Sequence, residues 1–210
     1  MIFNKKKPNP VMDISPPQSL WGDFSSIGSR MPSSPPTATI DSSATNSWVP
    51  LASDQLKLNC DEAFKQHQQQ SAIGIVIRNE RGILLNGKAM QIPAVSSLYA
   101  EAAAVREATV MAQVFGLNRA IVESDNLQVI VLCTNEDDPP WEIWPFIKDI
   151  RICVRQLQLY FYYTPSAFNN AVHWVANACL PLYLPLSWVD GQPQELADIL
   201  SKDCNYSFHE

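Results

Sequence analysis

Three acidic residues stand where structure alone does not call for them. Asp61 closes the run Leu56-Lys57-Leu58-Asn59-Cys60-Asp61, which alternates apolar and polar as a half-buried strand does. Glu101 lies three residues after Leu98, four before Val105 and seven before Ala108, on a stripe that Ala112 and Phe115 continue. It therefore points along the core-facing side of a helix, whereas Arg106 and Gln113 do not. Asp125 follows the apolar run Ala120-Ile121-Val122 at the end of another strand. Two strand-end acids and one inward helical acid can converge at one edge of a sheet. Clustered carboxylates repel one another and lose hydration, and a divalent cation among their oxygens relieves both costs. Mg2+ suits a few carboxylates and keeps several waters. Two such ions can activate a water and stabilise the leaving oxygen of a phosphodiester. Each acid also has a plainer reading: Asp125 as a helix N-cap, Glu101 as a favourable charge near a helix start, Asp61 as a turn former.

The elements that must position these acids are legible by period. After the first strand, Ser71 to Arg78 is β-branched and reads as a second strand, and Gly82 to Met90 as a third, with a hairpin turn at Asn79 to Gly82. Ser96 or Ser97 can cap a long helix that runs to Phe115 and stops at Gly116. Arg119 to Ser124 is a short buried strand, and Asp125 with Gln128 reads as a capping pair opening another helix. Asp137-Asp138-Pro139-Pro140 breaks the chain. Trp141 to Gln156 reads as a helix, Leu157 to Tyr163 as an aromatic strand, and Phe168 to Cys179 as a last helix of the domain. The order β-β-β-α-β-α-α-β-α describes a mixed α/β domain, not a doubly wound parallel one.

Outside this core the composition changes. Residues 1–50 hold half of the sixteen prolines and ten serines, and read as a disordered arm. Lys5-Lys6-Lys7 reads as a solvated charge run, with a weak nuclear signal as the other reading. The domain is placed at 51–180, and 181–210 is a tail with one short amphipathic helix near Pro193 to Leu200. The chain has 210 residues and a formal charge of -6, which argues against coating nucleic acid by bulk charge. No apolar run reaches the ~18–20 residues of a membrane span, and no apolar stretch follows the first lysines, so a secretory signal is not expected. Five cysteines at wide spacings, with no CxxC pair, support neither a zinc site nor a disulfide framework. The expectation is a nuclear or cytoplasmic protein, not secreted, and a monomer, since no heptad pattern suggests assembly.

Six segments, taken in order, carry a family resemblance. They are Trp48-Val49-Pro50, LKLNCDEAF at 56–64, IGIVIRNERG at 73–82, AEAAAVREA at 100–108, IVESDN at 121–126 and NNAVHWVA at 169–176. From about Trp48 to His173 the chain resembles the ribonuclease H type-1 fold, and within it the plant reverse-transcriptase-like branch related to non-LTR retroelements. The resemblance implies a ribonuclease H-like fold: an α/β domain with a five-stranded mixed sheet, its first three strands antiparallel, flanked by helices. It implies an endonuclease that needs Mg2+ (Mn2+ as substitute) and cuts the RNA strand of RNA–DNA hybrids. The family's acids map onto Asp61, Glu101 and Asp125, with the fourth position at His173. Imidazole can bind a metal but suits Mg2+ poorly, and the other reading of His173 is a surface helix position.

The departures from the family pattern define a second reading. Glu62 stands where a glycine is common, adding a charge beside the site. Ser166 replaces an expected arginine, and no basic, tryptophan-rich substrate handle is present. Residues 56–180 hold ten basic and twelve acidic side chains, so binding to a hybrid should be weak and salt-sensitive. Lys65, Arg78, Arg81 and Lys88 are the candidate phosphate contacts; Asn59, Glu62 and Asn126 are the polar groups nearest the acids, for contacts to 2′-hydroxyls. Trp141, Trp144 and Trp174 are expected to pack rather than to stack on bases. Two functions from different classes follow: a hybrid-specific, metal-dependent ribonuclease, or a catalytically inactive binding module, with a decayed retroelement fragment as its extreme.

Overall fold

The structure is a computed structural model that describes residues 55–68 and 70–205. The Pro/Ser-rich arm, the Trp48-Val49-Pro50 segment and the end of the tail lie outside the described residues. Five strands form one mixed sheet in the order β3-β2-β1-β4-β5. Strands β1 (Lys57–Lys65), β2 (Gln70–Arg78) and β3 (Leu84–Gln91) run antiparallel as a meander. Strands β4 (Ile121–Ser124) and β5 (Tyr160–Tyr163) add on in parallel beside β1. The ribonuclease H-like architecture that the sequence suggested is the one observed.

Strand alternation divides the core in two. On β2, Ile73, Ile75 and Ile77 enter the larger core, whereas Ala72 and Val76 enter the smaller ones behind it. The larger core is covered by helix α1 (Ser97–Val114), with α2 (Leu127–Thr134) and α3 (Trp144–Leu157) beyond it. Helix α4 (Asn170–Cys179) covers the opposite face, joined by α5 (Gln194–Asn205). Helix α1 is capped by Ser96, whose side chain accepts from the Tyr99 N–H at 3.0 Å. The small residues Ala102, Ala104, Val105, Ala108 and Ala112 bury its inner face, so it lies close against the sheet.

The boundaries differ from the sequence reading where the backbone turns. Arg119 and Gln158 adopt positive φ values of 63° and 54°. Each ends an irregular step before β4 or β5, so both strands are shorter than their apolar runs. Residues 141–143 form a turn rather than helix, and α3 begins at Trp144, where Pro145 sits in the first turn. The last helix runs past Leu200 to Asn205 and packs through Leu196 and Leu200. Among the described residues no helix is long and apolar enough to cross a membrane.

Trp188 fixes the segment before α5 to the sheet. It is buried, and its ring lies over Gly87 of β3: a Cβ there would meet Trp188 Cη2 at 2.2 Å and the Ile75 carbonyl oxygen at 2.8 Å. Neither the sheet backbone nor an indole wedged against it can yield without repacking. Gly87→Ala is expected to destabilise the domain by about 1–3 kcal/mol, as overpacking does, measured by denaturant unfolding. An unchanged midpoint would show that the indole moves aside freely.

Candidate active site

The sheet opens where the site lies. Strands β1 and β4 are paired from Lys57 and Ile121 only as far as Asn59 and Glu123, and in that parallel register residues 61 and 125 stand level just past the last pair. Asp61 and Asp125 therefore occupy the mouth of a widening gap between two parallel strands. Glu101 enters this gap from α1, one turn inside the helix. One oxygen from each of Asp61, Glu101 and Asp125 lies within 4.8 Å of the others. Asp61 and Glu101 are only 3% and 6% exposed, and Asp125 is half-buried.

Local contacts aim each acid. Asp125 is not the N-cap that the sequence offered: Asn126 caps α2, its Oδ1 accepting from the Val129 N–H at 3.1 Å. That leaves the Asp125 carboxylate free of a capping role, and its buried Oδ1 has no hydrogen-bond partner among the described residues. Ser124, which sequence reasoning passed over, donates from Oγ to Glu101 Oε2 at 3.4 Å and accepts from the Asn126 N–H at 3.1 Å. Its only sequence signal is a small hydroxyl residue at a strand end directly before an acid.

His173 is not merely a surface residue of α4. Its Nδ1 lies 2.8 Å from Asp61 Oδ2, and its Nε2 faces Asn177 Nδ2 at 3.2 Å. The amide donating to Nε2 assigns the proton to Nδ1, which donates to Asp61. His173 thus orients a carboxylate and stands outside the group of three whose ligand atoms come together. Asn169, also passed over, donates to the Cys60 carbonyl oxygen at 3.1 Å and accepts from Asn59 at 3.1 Å, pinning the backbone just before Asp61.

The electrostatics follow from crowding acids in a buried gap. Burial, and then the charges of Asp61 and Asp125, push the Glu101 carboxyl up to about 9. Burial, and then Asp61, also raise Asp125. The hydrogen bond to Asp61 raises His173, against its partial burial. Glu62 alternates to the α1 face of β1, where its Oε1 accepts from Ser97 Oγ at 2.6 Å; burial, then the charge of Asp61, raise it.

The candidate nucleic-acid contacts divide. Lys65 and Arg81 are exposed, and Glu62 and Asn126 are half-buried beside the acids. Two others are corrected. Arg78 is 1% exposed, and its guanidinium bonds Asp203 Oδ2 at 2.7 Å and Asn59 Oδ1 at 2.8 Å inside the domain. Asn59 is fully buried, donating to Glu123 and Asn169. Both side chains are buried on the α4 face of the central strands, Asn59 against Asn169 and Arg78 against Asp203 of α5, so neither is open to a ligand. Lys88 pairs with Glu107 at 2.5 Å.

The donor set fits a hard divalent cation. Three carboxylates bring their oxygens together, and Asp125 Oδ1 is buried without a hydrogen-bond partner among the described residues. Asp61, Glu101 and Asp125 would hold it.

The family described as reverse transcriptase-like matches residues 59–179, a span that contains all three acids and His173. No curated protein matches the chain. Several solved structures are similar. Ribonuclease H1 of the halophilic archaeon Halobacterium salinarum NRC-1 is 21% identical with a TM-score of 0.51, over 60% of this chain and 98% of that one. The N-terminal ribonuclease H domain of rv2228c from Mycobacterium tuberculosis is 15% identical with a TM-score of 0.55, over 61% and 95%. LC11-RNase H1, isolated from compost and solved with an RNA/DNA hybrid, is 18% identical with a TM-score of 0.54, over 62% and 100%. At such identities the likeness shows a common fold, and with the match across residues 59–179 the chain belongs to the reverse transcriptase-like family, built on a ribonuclease H-like domain.

Proposed function

We propose that this protein is a Mg2+-dependent endonuclease that cuts the RNA strand of RNA–DNA hybrids, with Asp61, Glu101 and Asp125 as its catalytic, metal-holding residues and Mn2+ as a substitute ion. The observation that carries the reading is the convergence of these three carboxylates within 4.8 Å in a buried gap between strands. When bound there, divalent ions supply an activated water and neutralise charge on the leaving oxygen, the chemistry of paired-metal phosphodiester cleavage. The chain's own residues do the rest. Asn169 and Asn59 hold the backbone at Cys60, His173 fixes the Asp61 carboxylate, and Ser124 holds Glu101. That LC11-RNase H1 was solved with an RNA/DNA hybrid supports the substrate class.

The rim sets the affinity. Lys65 and Arg81 are the exposed cations of the meander, and Asn126 and Glu62 are the polar groups beside the acids. Glu62 brings a negative charge close to where a phosphate must pass. Binding is therefore weak and salt-sensitive, the feature that also suits the inactive-module reading.

Two outcomes test the site. Cleavage of a labelled hybrid in Mg2+ or Mn2+ should fall by about 100-fold or more in Asp61→Asn, the scale for removing one group that acts in the transition state, with duplex DNA and duplex RNA uncut throughout. Folded protein that leaves hybrids intact in both ions would favour the inactive module.

The second outcome is a pH dependence of stability. Glu101 rises from 4.5 to about 9 in the folded, metal-free protein, so across that window the folded state binds more protons than the unfolded one. Stability is then lost as pH rises from the lower value to the upper. Glu101→Gln cannot ionise. In chelator it should melt with the wild type near pH 4 and several degrees above it near pH 9, the scale of about 1 kcal/mol or more. A difference constant with pH would show that Glu101 ionises freely.

A further inference from the structure

We propose that Asp203 of α5 is a positioning residue for the carboxylate gap: through Arg78 it locks the side-chain amide of Asn59, and that amide sets the spacing of β1, β4 and α4 where the acids converge. The inference rests on the reading above for its catalytic sense, while its geometry stands on the buried polar layer alone.

The layer carries hydrogen bonds in one direction. A guanidinium has donors only, so the Asn59 atom that faces Arg78 Nη2 at 2.8 Å is the carbonyl oxygen. Asn59 Nδ2 is thereby turned to Glu123 Oε2 at 2.9 Å and to Asn169 Oδ1 at 3.1 Å. With its oxygen so used, Asn169 turns its own Nδ2 to the Cys60 carbonyl oxygen at 3.1 Å. Each assignment follows from the one before it, and Arg78 sets the first. Asn59, Arg78, Asn169 and Asp203 are all buried.

These bonds end at the acids. Cys60 precedes Asp61 on β1, and its Sγ meets the Glu123 carbonyl oxygen at 3.2 Å, two residues before Asp125. The Asn169 carbonyl oxygen accepts from the His173 N–H at 3.0 Å, in the turn of α4 that brings His173 to Asp61. A reversed Asn59 amide would set its oxygen against those of Glu123 and Asn169. Repulsion would then part β1 from β4 and from α4 just before the gap.

Asp203 holds the first link. Its Oδ2 accepts from Arg78 Nη1 at 2.7 Å, so two arms of one planar fork join α5 to Asn59. Among the described residues the layer holds Lys57 and Arg78 as cations, and Glu123 and Asp203 as carboxylates. Without the Asp203 charge, Arg78 is drawn towards Glu123, the acid that Lys57 and Asn59 already share. Attachment of α5 does not need the pair, because Leu196 and Leu200 pack it on the smaller core. A buried ion pair adds little stability over apolar side chains of its size, but it fixes an orientation that apolar side chains cannot.

The test is NMR-detected amide hydrogen exchange on the full chain in chelator, with hybrid cleavage in Mg2+ beside it. Two amides report the gap: His173, bonded to the Asn169 carbonyl, and Glu62, whose N–H donates to Asp61 Oδ1 at 2.7 Å. In Asp203→Asn both should exchange about 2- to 10-fold faster, the equivalent of one buried hydrogen bond, while Val105 and Ala108 in α1 keep their rates. Asp203→Glu should restore wild-type exchange. The single ammonium of Arg78→Lys cannot bridge Asp203 and Asn59, so this variant should repeat the Asp203→Asn pattern, and it carries the test if Asp203→Asn does not fold. Ile199→Ala, which loosens α5 without altering charge, should lower the Tm and leave both amides unchanged. In cleavage, kcat should fall about 10-fold in Asp203→Asn at unchanged KM, the scale for a group that orients a metal ligand. Unchanged exchange at His173 and Glu62 in both charge variants, or the same rise in Ile199→Ala, would overturn the proposal. Exchange needs neither metal nor cleavage, so a chain that shows the pattern but cuts no hybrid loses only the nuclease reading.

Discussion

Mutual repulsion of three carboxylates in a buried gap is the constraint around which the domain is arranged. Left alone, such groups would protonate, splay or draw in water. Here they are kept together because each is fixed from a different element: one on β1 and one after β4, both past the last β1–β4 pair, and one inside the first turns of α1. The strain is partly discharged by a proton, which is why Glu101 holds its hydrogen so far above the ordinary carboxylate range. It is partly discharged by His173, whose ring bonds Asp61. The parting of two parallel strands past Asn59 and Glu123 is thus the structural event that makes the chemistry available.

A second, buried layer of polar contacts holds the first in place. Asn59 sits at its centre, linked to Arg78, Glu123 and Asn169, while Lys57 bonds Glu123 at 2.7 Å. Buried polar groups are tolerated only when bonded, and removing one member leaves the others uncompensated. The layer therefore specifies the relative placement of β1, β2, β4 and α4 more sharply than apolar packing would. It also explains why two groups with the right chemistry for a ligand contact are not on the surface.

Much of this was legible in the sequence, for physical reasons that differ by element. The meander and α1 are written in strong periodicity, and Glu101 stood out because an acid on an apolar stripe has no plain use. Asp61 and Asp125 were legible as strand ends following apolar runs. What escaped was mostly register and pairing. Whether Asp125 or Asn126 caps α2 turns on a single residue of offset, and the choice decides whether the carboxylate is free. The burial of Arg78 could not be read from its position at a strand end, because its partner Asp203 lies 125 residues away. Trp141 and Trp144 were assigned to packing by their type, yet Trp141 falls in the turn at 141–143 and both are exposed.

The link from Arg78 to Asp203 has a further meaning for where this domain ends. The family match ends at residue 179, yet the guanidinium beneath the central strands is neutralised from α5, and Trp188 lies over Gly87 of the sheet. The matched span and the packed unit are therefore different lengths. The matched span holds the acids, whereas the packing that covers the central strands extends to Asp203. The segment after residue 179 belongs to the interior of the fold, as a keystone does to its arch.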